Sequence, residues 1–167
     1  MRLEPLGAKH LAAVEAMLDD PDLLRFTRVP EPVPDGFAQS WLQGYEEGRR
    51  DGSREGFAIV DTDGSFLGLA LAPSIDARAR EVELGYLVAP EARGRGVATA
   101  ALGLLTEWAF STLGAFRLVL HISTANLVSK RVAERAGYTY EGTMRGAFFK
   151  QEQRDDTELW SRLATDP

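Results

Sequence analysis

Apolar residues recur along the chain at two spacings, one typical of helices and the other of strands. Between Phe37 and Gly48, aromatic residues stand at every fourth position, so Phe37, Trp41 and Tyr45 share one face of a predicted helix. In Glu81–Ala89, apolar and polar residues alternate, as they do in a strand with one buried face. The two spacings divide the chain into a series of helices and strands.

The predicted elements follow the order β-α-α-β-β-β-α-β-α-β-β. Strands are expected at Arg2–Leu6, Gly56–Asp61, Ser65–Ala72, Glu81–Ala89 and Phe116–Ser123, followed by two final strands, and helices at Lys9–Leu18, Phe37–Gly48, Val97–Phe110 and Asn126–Ala136. Thr62-Asp63-Gly64 predicts a tight hairpin turn between the second and third strands. Because no internal repeat or linker interrupts this order, we expect a single domain over residues 1–167, of the mixed α/β class.

Length and composition limit the class of protein. A chain of 167 residues with 44% hydrophobic content suits one globular domain with a sizeable core. The formal charge of −6 argues against a nucleic-acid partner, which requires a basic surface. No apolar run approaches the ~20 residues that span a bilayer, and Met1–His10 lacks the apolar segment of a signal peptide. The sequence therefore predicts a soluble cytoplasmic protein without a membrane partner.

The absence of cysteine restricts the available chemistry. Without a thiol, the chain has no disulfide, no thiolate metal site and no cysteine acyl-enzyme. Its two histidines, His10 and His121, are far apart in sequence and form no recognisable metal-ligand set. No metal is therefore predicted, and any acyl transfer has to use another group.

A glycine-rich turn joins the Glu81–Ala89 strand to the following helix. Gly94 and Gly96 have no Cβ to keep a ligand from the backbone, and the next helix begins with unpaired N–H groups. A phosphate or pyrophosphate fits such a cradle. The turn lacks the lysine of a nucleotide-hydrolase phosphate loop, and Thr99 stands where the dinucleotide fingerprint requires a third glycine.

The turn instead resembles the acyl-coenzyme A motif R-x-x-G-x-G/A of the GNAT superfamily of N-acetyltransferases, matched by Arg93, Gly96 and Ala98. Downstream residues resemble the pattern N-x-x-S…E-x-x-G-[FY]…E-G-x-x-R of the branch that includes the ribosomal-protein alanine N-acetyltransferases. This pattern is carried by Asn126–Ser129, Glu134–Tyr138 and Glu141–Arg145. Phe57–Gly68 also looks like the central hairpin of that branch, so the resemblance extends along the chain.

The resemblance implies a GNAT-like fold: a mostly antiparallel, mixed sheet of six to seven strands with about four helices, splayed open where acetyl-CoA binds. The strands that end at Val88 and begin at Phe116 are expected to diverge and admit the pantetheine arm. The residues implied to contact the cofactor are Leu87, Val88, Arg93, Gly94, Arg95, Gly96, Val97, Ala98, Thr99, Asn126 and Ser129. For Arg93 and Arg95 solvated surface charge is the alternative, and for Asn126 a helix cap.

Acetyl transfer requires an uncharged amine, so a group that removes a proton is needed. Glu83 faces away from Leu84 on its strand and is a candidate for the general base or an anchor for the amine. His121 is the competing base, because imidazole ordinarily exchanges protons near neutral pH. The resemblance places Ser129 near the sulfur of coenzyme A, as proton donor or hydrogen-bond orienter. His10 is expected at the surface, and both Tyr138 and Tyr140 in the core. In the Asn126–Ala136 helix, Val128, Val132 and Ala136 are expected to face inward.

The amine acceptor is open at this point. One hypothesis is a protein N-terminal α-amine, and another is a small amine such as an aminoglycoside or polyamine, with an entrance lined by acidic residues: Asp19, Asp20, Asp22, Glu31 and Asp35. These carboxylates are equally typical of a solvated surface. An acyl-CoA-binding sensor or interaction module without catalysis is the alternative from another class. A homodimer through exposed strand edges also stays open.

Overall fold

The computed structural model describes residues 1–167 and contains one seven-stranded sheet with the strand order β1-β2-β3-β4-β5-β7-β6. The strands are β1 (Arg2–Pro5), β2 (Glu55–Val60), β3 (Phe66–Asp76), β4 (Glu81–Val88), β5 (Arg117–Ser123), β6 (Thr139–Lys150) and β7 (Gln153–Leu163). The helices are α1 (Leu11–Met17), α2 (Pro21–Phe26), α3 (Phe37–Asp51), α4 (Val97–Ser111) and α5 (Leu127–Arg135). This mixed sheet confirms the predicted fold class.

The sheet is antiparallel except between β4 and β5, which run parallel because α4 carries the chain back across the sheet. Their pairing is confined to the first three residues of each strand, Glu81–Glu83 opposite Arg117–Val119. Beyond this seam β4 keeps only its pairing with β3, and β5 keeps only its pairing with β7. The two strands therefore separate toward their C-terminal ends, as predicted.

Helices cover both faces of the sheet. Adjacent residues of a strand point to opposite faces, and in β2 the Tyr45 ring of α3 lies against Gly56, whereas Phe57 meets Trp108 of α4 with ring centroids 5.1 Å apart. α3 and α4 thus pack on opposite faces. Tyr45 is buried and Trp41 packs edge-on against it at 5.7 Å, which confirms the predicted core-facing row of α3.

Two predictions at the level of elements need correction. An additional helix, α2, begins after Asp20, whose carboxylate accepts a hydrogen bond from the Asp22 N–H; its single apolar turn is too short to give a periodic signal. β3 continues past Ala72 to Asp76, because an irregularity in its pairing with β4 accommodates Pro73. No helix of this chain is both long and apolar enough to cross a membrane.

Three predictions of burial are wrong. His10 is buried, with Nε2 2.9 Å from the Glu4 carboxylate and Nδ1 accepting from the Gly7 N–H. Val128 is 67% exposed although its helical spacing predicts an inward position, because α5 packs through Val132 and Ala133 one turn later. Tyr140 is 48% exposed, whereas Tyr138 is buried as expected.

Candidate functional site

The separation of β4 from β5 creates an opening in the sheet, bounded on one side by Leu84–Val88 and on the other by Leu120–Ser123. The chain leaves β4 at Val88, makes a short 3-10 turn over Pro90–Ala92 and enters the glycine-rich loop. Leu87 and Val88 therefore lie directly before the residues of the predicted phosphate cradle. The structure therefore brings Leu87, Val88 and the glycine-rich loop to the same end of the opening.

The loop has the backbone geometry of an anion cradle. Gly94 and Gly96 adopt left-handed conformations, with φ of 73° and 78°, and Gly96 is the N-cap of the 15-residue helix α4. A Cβ added to either glycine would meet no other atom within 4 Å, so the space in front of the backbone is open. The six consecutive N–H groups from Gly94 to Thr99 make no hydrogen bond within the protein. Free donors in this arrangement are able to bind an anion such as a pyrophosphate.

The two arginines of the loop are engaged by carboxylates. Arg93 contacts Asp20 and lies 3.7 Å from Asp22, and its Nε donates to the Val88 carbonyl oxygen at 3.3 Å. Arg95 lies 3.2 Å from the carboxylate of Asp61 at the end of β2. The guanidinium of Arg93 therefore connects the loop, the end of β4 and the start of α2.

The two predicted candidate bases meet at the seam between β4 and β5. The Glu83 carboxylate lies 3.2 Å from His121 Nδ1, and the two side chains are 35% and 37% exposed. Interaction with the imidazole lowers the pKa of Glu83, and the charge of Arg28 adds to this, against burial, which raises it. Glu83 is consequently ionised at neutral pH and held beside an imidazole.

The N-terminus of α5 faces β4 across the opening. The Asn126 side-chain oxygen accepts from the Ser129 N–H at 3.0 Å, so Asn126 is the helix cap. Tyr86 of β4 donates its hydroxyl to the Ser129 carbonyl oxygen at 3.5 Å, and burial raises the pKa of Tyr86 to about 12. Sequence reasoning misses this bridge, because the alternation of Tyr86 with Leu84 and Val88 predicts only a shared apolar face.

A segment from Asp20 to Glu31 lies beside the same site. At its start, Asp20 and Asp22 contact Arg93; at its end, Lys150 of β6 forms an ion pair with Glu31 and donates to the Leu24 carbonyl oxygen. No local pattern indicates this role, since Lys150 is distant in the chain. No cluster of three or more histidine, aspartate or glutamate side chains is placed to hold a metal ion.

The chain is similar to a known protein family and to a curated relative. Residues 1–139 match a family described as Acetyltransferase (GNAT) domain. The protein YdaF of Bacillus subtilis (strain 168), provisionally named a ribosomal N-acetyltransferase, is 33% identical over 101 residues. That match covers 60% of this chain and 55% of YdaF, so the chain matches about half the length of this curated relative.

Two solved structures share the fold along nearly the whole chain. The spermidine N-acetyltransferase of Vibrio cholerae, in complex with CoA and spermine, superposes with a TM-score of 0.87 at 20% identity and covers 99% of this chain and 96% of that one. RimL, a ribosomal L7/L12 alpha-N-protein acetyltransferase in complex with coenzyme A, gives a TM-score of 0.87 at 21% identity, with coverage of 96% and 92%. At these identities the likeness concerns the fold alone.

Proposed function

Because the chain belongs to the acetyltransferase (GNAT) domain family, we propose that it is an N-acetyltransferase that moves an acetyl group from acetyl-CoA directly to a primary amine. One observation carries this proposal: an opening in the sheet ends at six free backbone N–H groups. Free donors at this place suit a phosphorylated cofactor whose arm enters the sheet. The absence of cysteine favours direct transfer over an acyl-enzyme.

The residues around the opening fit acetyl-CoA, which supplies an activated acetyl group as a thioester. The N–H groups of residues 94–99 would hold the pyrophosphate through charge-assisted hydrogen bonds. A backbone N–H of the Leu87–Val88 edge of β4, beside the opening, would stabilise the oxyanion that forms from the acetyl carbonyl. Ser129 would lie near the sulfur; its hydroxyl is not used by the hydrogen bonds that fix its backbone.

Glu83 and His121 have different roles when the amine loses its proton. A carboxylate with a lowered pKa is a weak base, so Glu83 serves better as the anchor for the incoming amine and the partner of the imidazole. His121, held by Glu83 through Nδ1, is the group that accepts the proton from the amine. The contact between Glu83 and His121 supports a joint role, whereas the sequence leaves each residue as an alternative base.

For the acceptor we favour a protein N-terminal α-amine. Three of the five acidic residues that could form an entrance for polyamines, Asp20, Asp22 and Glu31, are paired with Arg93 and Lys150, which offset two of the three negative charges. YdaF and RimL, by their names, act on ribosomal proteins. A polyamine acceptor is the second candidate, supported by the likeness to the spermine complex.

We further propose a cytoplasmic location and a homodimer. A cytoplasmic enzyme is consistent with a cofactor and a protein acceptor that have to meet in one compartment. β1 and β6 each leave one strand edge without a partner, which supports a homodimer through an edge. Light scattering of the purified protein determines which assembly forms.

Calorimetric titration with acetyl-CoA tests the cofactor site. Gly96→Val should abolish saturable binding, because a branched side chain would stand in front of the free N–H groups and strain a left-handed residue. Gly36→Val is a matched control: Gly36 caps the other 15-residue helix, α3, with φ of 71° and equally open surroundings. It imposes the same strain and should leave binding intact.

The outcomes distinguish the alternatives. Absence of binding by the unaltered protein would overturn the acetyltransferase proposal, and equal losses in both glycine variants would show that strain, rather than the cradle, is responsible. Binding without transfer to N-terminal peptides or polyamines would favour the non-catalytic acyl-CoA-binding module. Transfer to peptides but not to spermidine would establish the favoured acceptor class.

A further inference from the structure

Gly85 lies in β4 between the two groups of the proposed chemistry. Because successive positions of a strand alternate, Gly85 faces the same side of the sheet as Glu83 and Leu87, each about 6.6 Å away along the strand. The Glu83 carboxylate contacts His121 on one side of Gly85, and the Leu87 backbone borders the opening on the other. An amine held by Glu83 and His121 would therefore meet an acetyl carbonyl held at Leu87 over Gly85.

The sheet surface at Gly85 is open. Gly56 of β2 and Gly85 of β4 pair with Leu71 of β3 from its two sides, so the three positions face the same side of the sheet. The Tyr45 ring of α3 covers Gly56, where an added Cβ would lie 3.1 Å from the ring. A Cβ added to Gly85 would meet no other atom within 4 Å. α3 thus covers β2 at this level and leaves space over β4.

Neither the backbone nor the packing of the protein requires a glycine at this position. The φ of Gly85 lies outside the left-handed region, and no neighbouring atom excludes a side chain. The irregular pairing beside Gly85 places its extra residue in β3, so β4 itself carries no bulge there. A glycine inside a strand weakens it, and one of its uses is to let a ligand approach the backbone closely. The missing side chain therefore points to a ligand at this place.

We propose that Gly85 is a specificity-determining residue, because its missing side chain makes room for a substituent on the carbon that bears the reactive amine. This inference rests on the proposed acetyltransferase function and narrows the substrate class of the same site. The carbon lies one bond, about 1.5 Å, from the nitrogen, so it also lies over Gly85 when the nitrogen attacks. In a peptide N-terminus that carbon carries a side chain, whereas in a polyamine it is unbranched.

Moving one methyl group between protein and acceptor tests this. The tripeptide amides Gly-Ser-Ser and Ala-Ser-Ser differ only in a methyl group on the carbon that bears the amine. We expect the unaltered protein to acetylate both. Gly85→Ala places a methyl group in the same space, so kcat/KM for Ala-Ser-Ser should fall about 10-fold or more through overpacking. The value for Gly-Ser-Ser should stay within about threefold, as should any turnover of spermidine.

Gly103→Ala is the matched control. It adds a methyl group at another glycine with φ outside the left-handed region and with open surroundings, but on α4, on the opposite side of the sheet. The ratio of the two peptide values should not change in this variant. Titration of Gly85→Ala with acetyl-CoA gives a second readout: the affinity should stay within about threefold, because the N–H groups of residues 94–99 are unaltered.

Each contrary outcome points to a different failure. Equal losses for both peptides in Gly85→Ala, or no loss for either, would overturn the role of Gly85 and leave the acetyltransferase function standing. An unaltered protein that acetylates only Gly-Ser-Ser or only spermidine would also overturn it, since no branched carbon is then admitted. Absence of transfer to any of the three acceptors would overturn the proposed function, and this inference with it.

Discussion

The sequence offers Glu83 and His121 as separate candidates for the general base, and the structure places their side chains in contact. Their side chains meet because Glu83 is the last residue of β4 to pair with β5, opposite Val119, two positions before His121. Groups in direct contact do not contribute independently, so removing either should remove most of their shared effect. The pair therefore gives a test at the scale of residues.

We expect His121→Asn to lower kcat about 100-fold or more, which is the usual contribution of general base catalysis. Glu83→Gln should lower kcat as well and raise KM for the amine, because it removes the anchoring charge. In the double variant the loss should be well below the product of the single losses. Initial rates across a range of pH measure all three.

A suitable control is Glu81→Gln, which alters a carboxylate on the same strand and face but one that pairs with Arg117. Unchanged turnover in Glu83→Gln would eliminate Glu83 from the mechanism. Losses that multiply in the double variant would show that the two groups work independently.

The residues of the cradle are predictable from the sequence and the contacts around it are not. The signal of Gly94 and Gly96 is local, since a turn and the first turn of a helix are encoded within a few consecutive residues. The contact between Glu83 and His121 depends on the register of β4 and β5, which is set only when α4 has packed on the sheet. The burial of His10 escapes prediction for a similar reason: its partner Glu4 lies on another element.

At the scale of elements, β3 and β4 pair so closely at Gly68 that no larger side chain fits there. A Cβ on Gly68 would collide with the Leu87 carbonyl oxygen, and the φ of Gly68, 149°, disfavours other residues. Gly68→Ala should therefore destabilise the protein by about 1–3 kcal/mol through forced backbone displacement. Because Leu87 borders the opening, acetyl-CoA binding should weaken too. Urea unfolding and titration measure the two effects.

Gly85→Ala provides the comparison, since Gly85 lies in β4 with open space where its Cβ would be. Its free energy of unfolding should stay within about 0.5 kcal/mol of the unaltered protein. A Gly68→Ala protein as stable as this control would show that the strands can separate locally without cost.

Element types follow from periodicity, but strand order does not. Alternation identifies a strand and its buried face, yet several orders of the same strands bury the same faces. β7 lies between β5 and β6 because β6 and β7 form a long hairpin that adds to β5 through its second strand. This choice depends on packing across the whole sheet, which no local pattern records.

At the scale of the whole molecule, an ionic network links the strands at the end of the sheet where β4 and β5 are paired. Arg117 of β5 binds Glu81 of β4 at 2.8 Å and grips both carboxylate oxygens of Glu141 on β6 at 2.6 and 2.7 Å. Ser161 of β7 donates to the same carboxylate. Four strands are thereby joined near the seam.

This network should make the free energy of unfolding depend on pH under acidic conditions. Arg117 and Ser161 lower the pKa of Glu141 from 4.5 to about 2. A carboxyl with a depressed pKa contributes stability that is complete above 4.5 and is lost as the pH falls toward 2. Glu141→Gln should therefore be less stable than the unaltered protein at pH 7, with a difference that shrinks between pH 4.5 and pH 2. Urea unfolding at several pH values measures it.

Glu107→Gln serves as control, because Glu107 is exposed on α4 and forms no ion pair. Glu4, whose pKa is lowered to about 2 by Lys9 and His10, is unchanged in both variants and keeps part of the acid sensitivity in each. A difference between Glu141→Gln and the unaltered protein that stays constant with pH would show that the network contributes no linkage.

Because the seam between β4 and β5 is narrow, a ligand bound in the opening would also stabilise the folded protein against unfolding. Residues 1–88 form one antiparallel half of the sheet and residues 117–163 the other, and three residue pairs join their backbones. A cofactor that fills the opening binds the assembled halves and not the unfolded chain, so by mass action it adds about 2.7 kcal/mol at 100 times its dissociation constant. The supply of acetyl-CoA would then govern how long the protein survives as well as how fast it works.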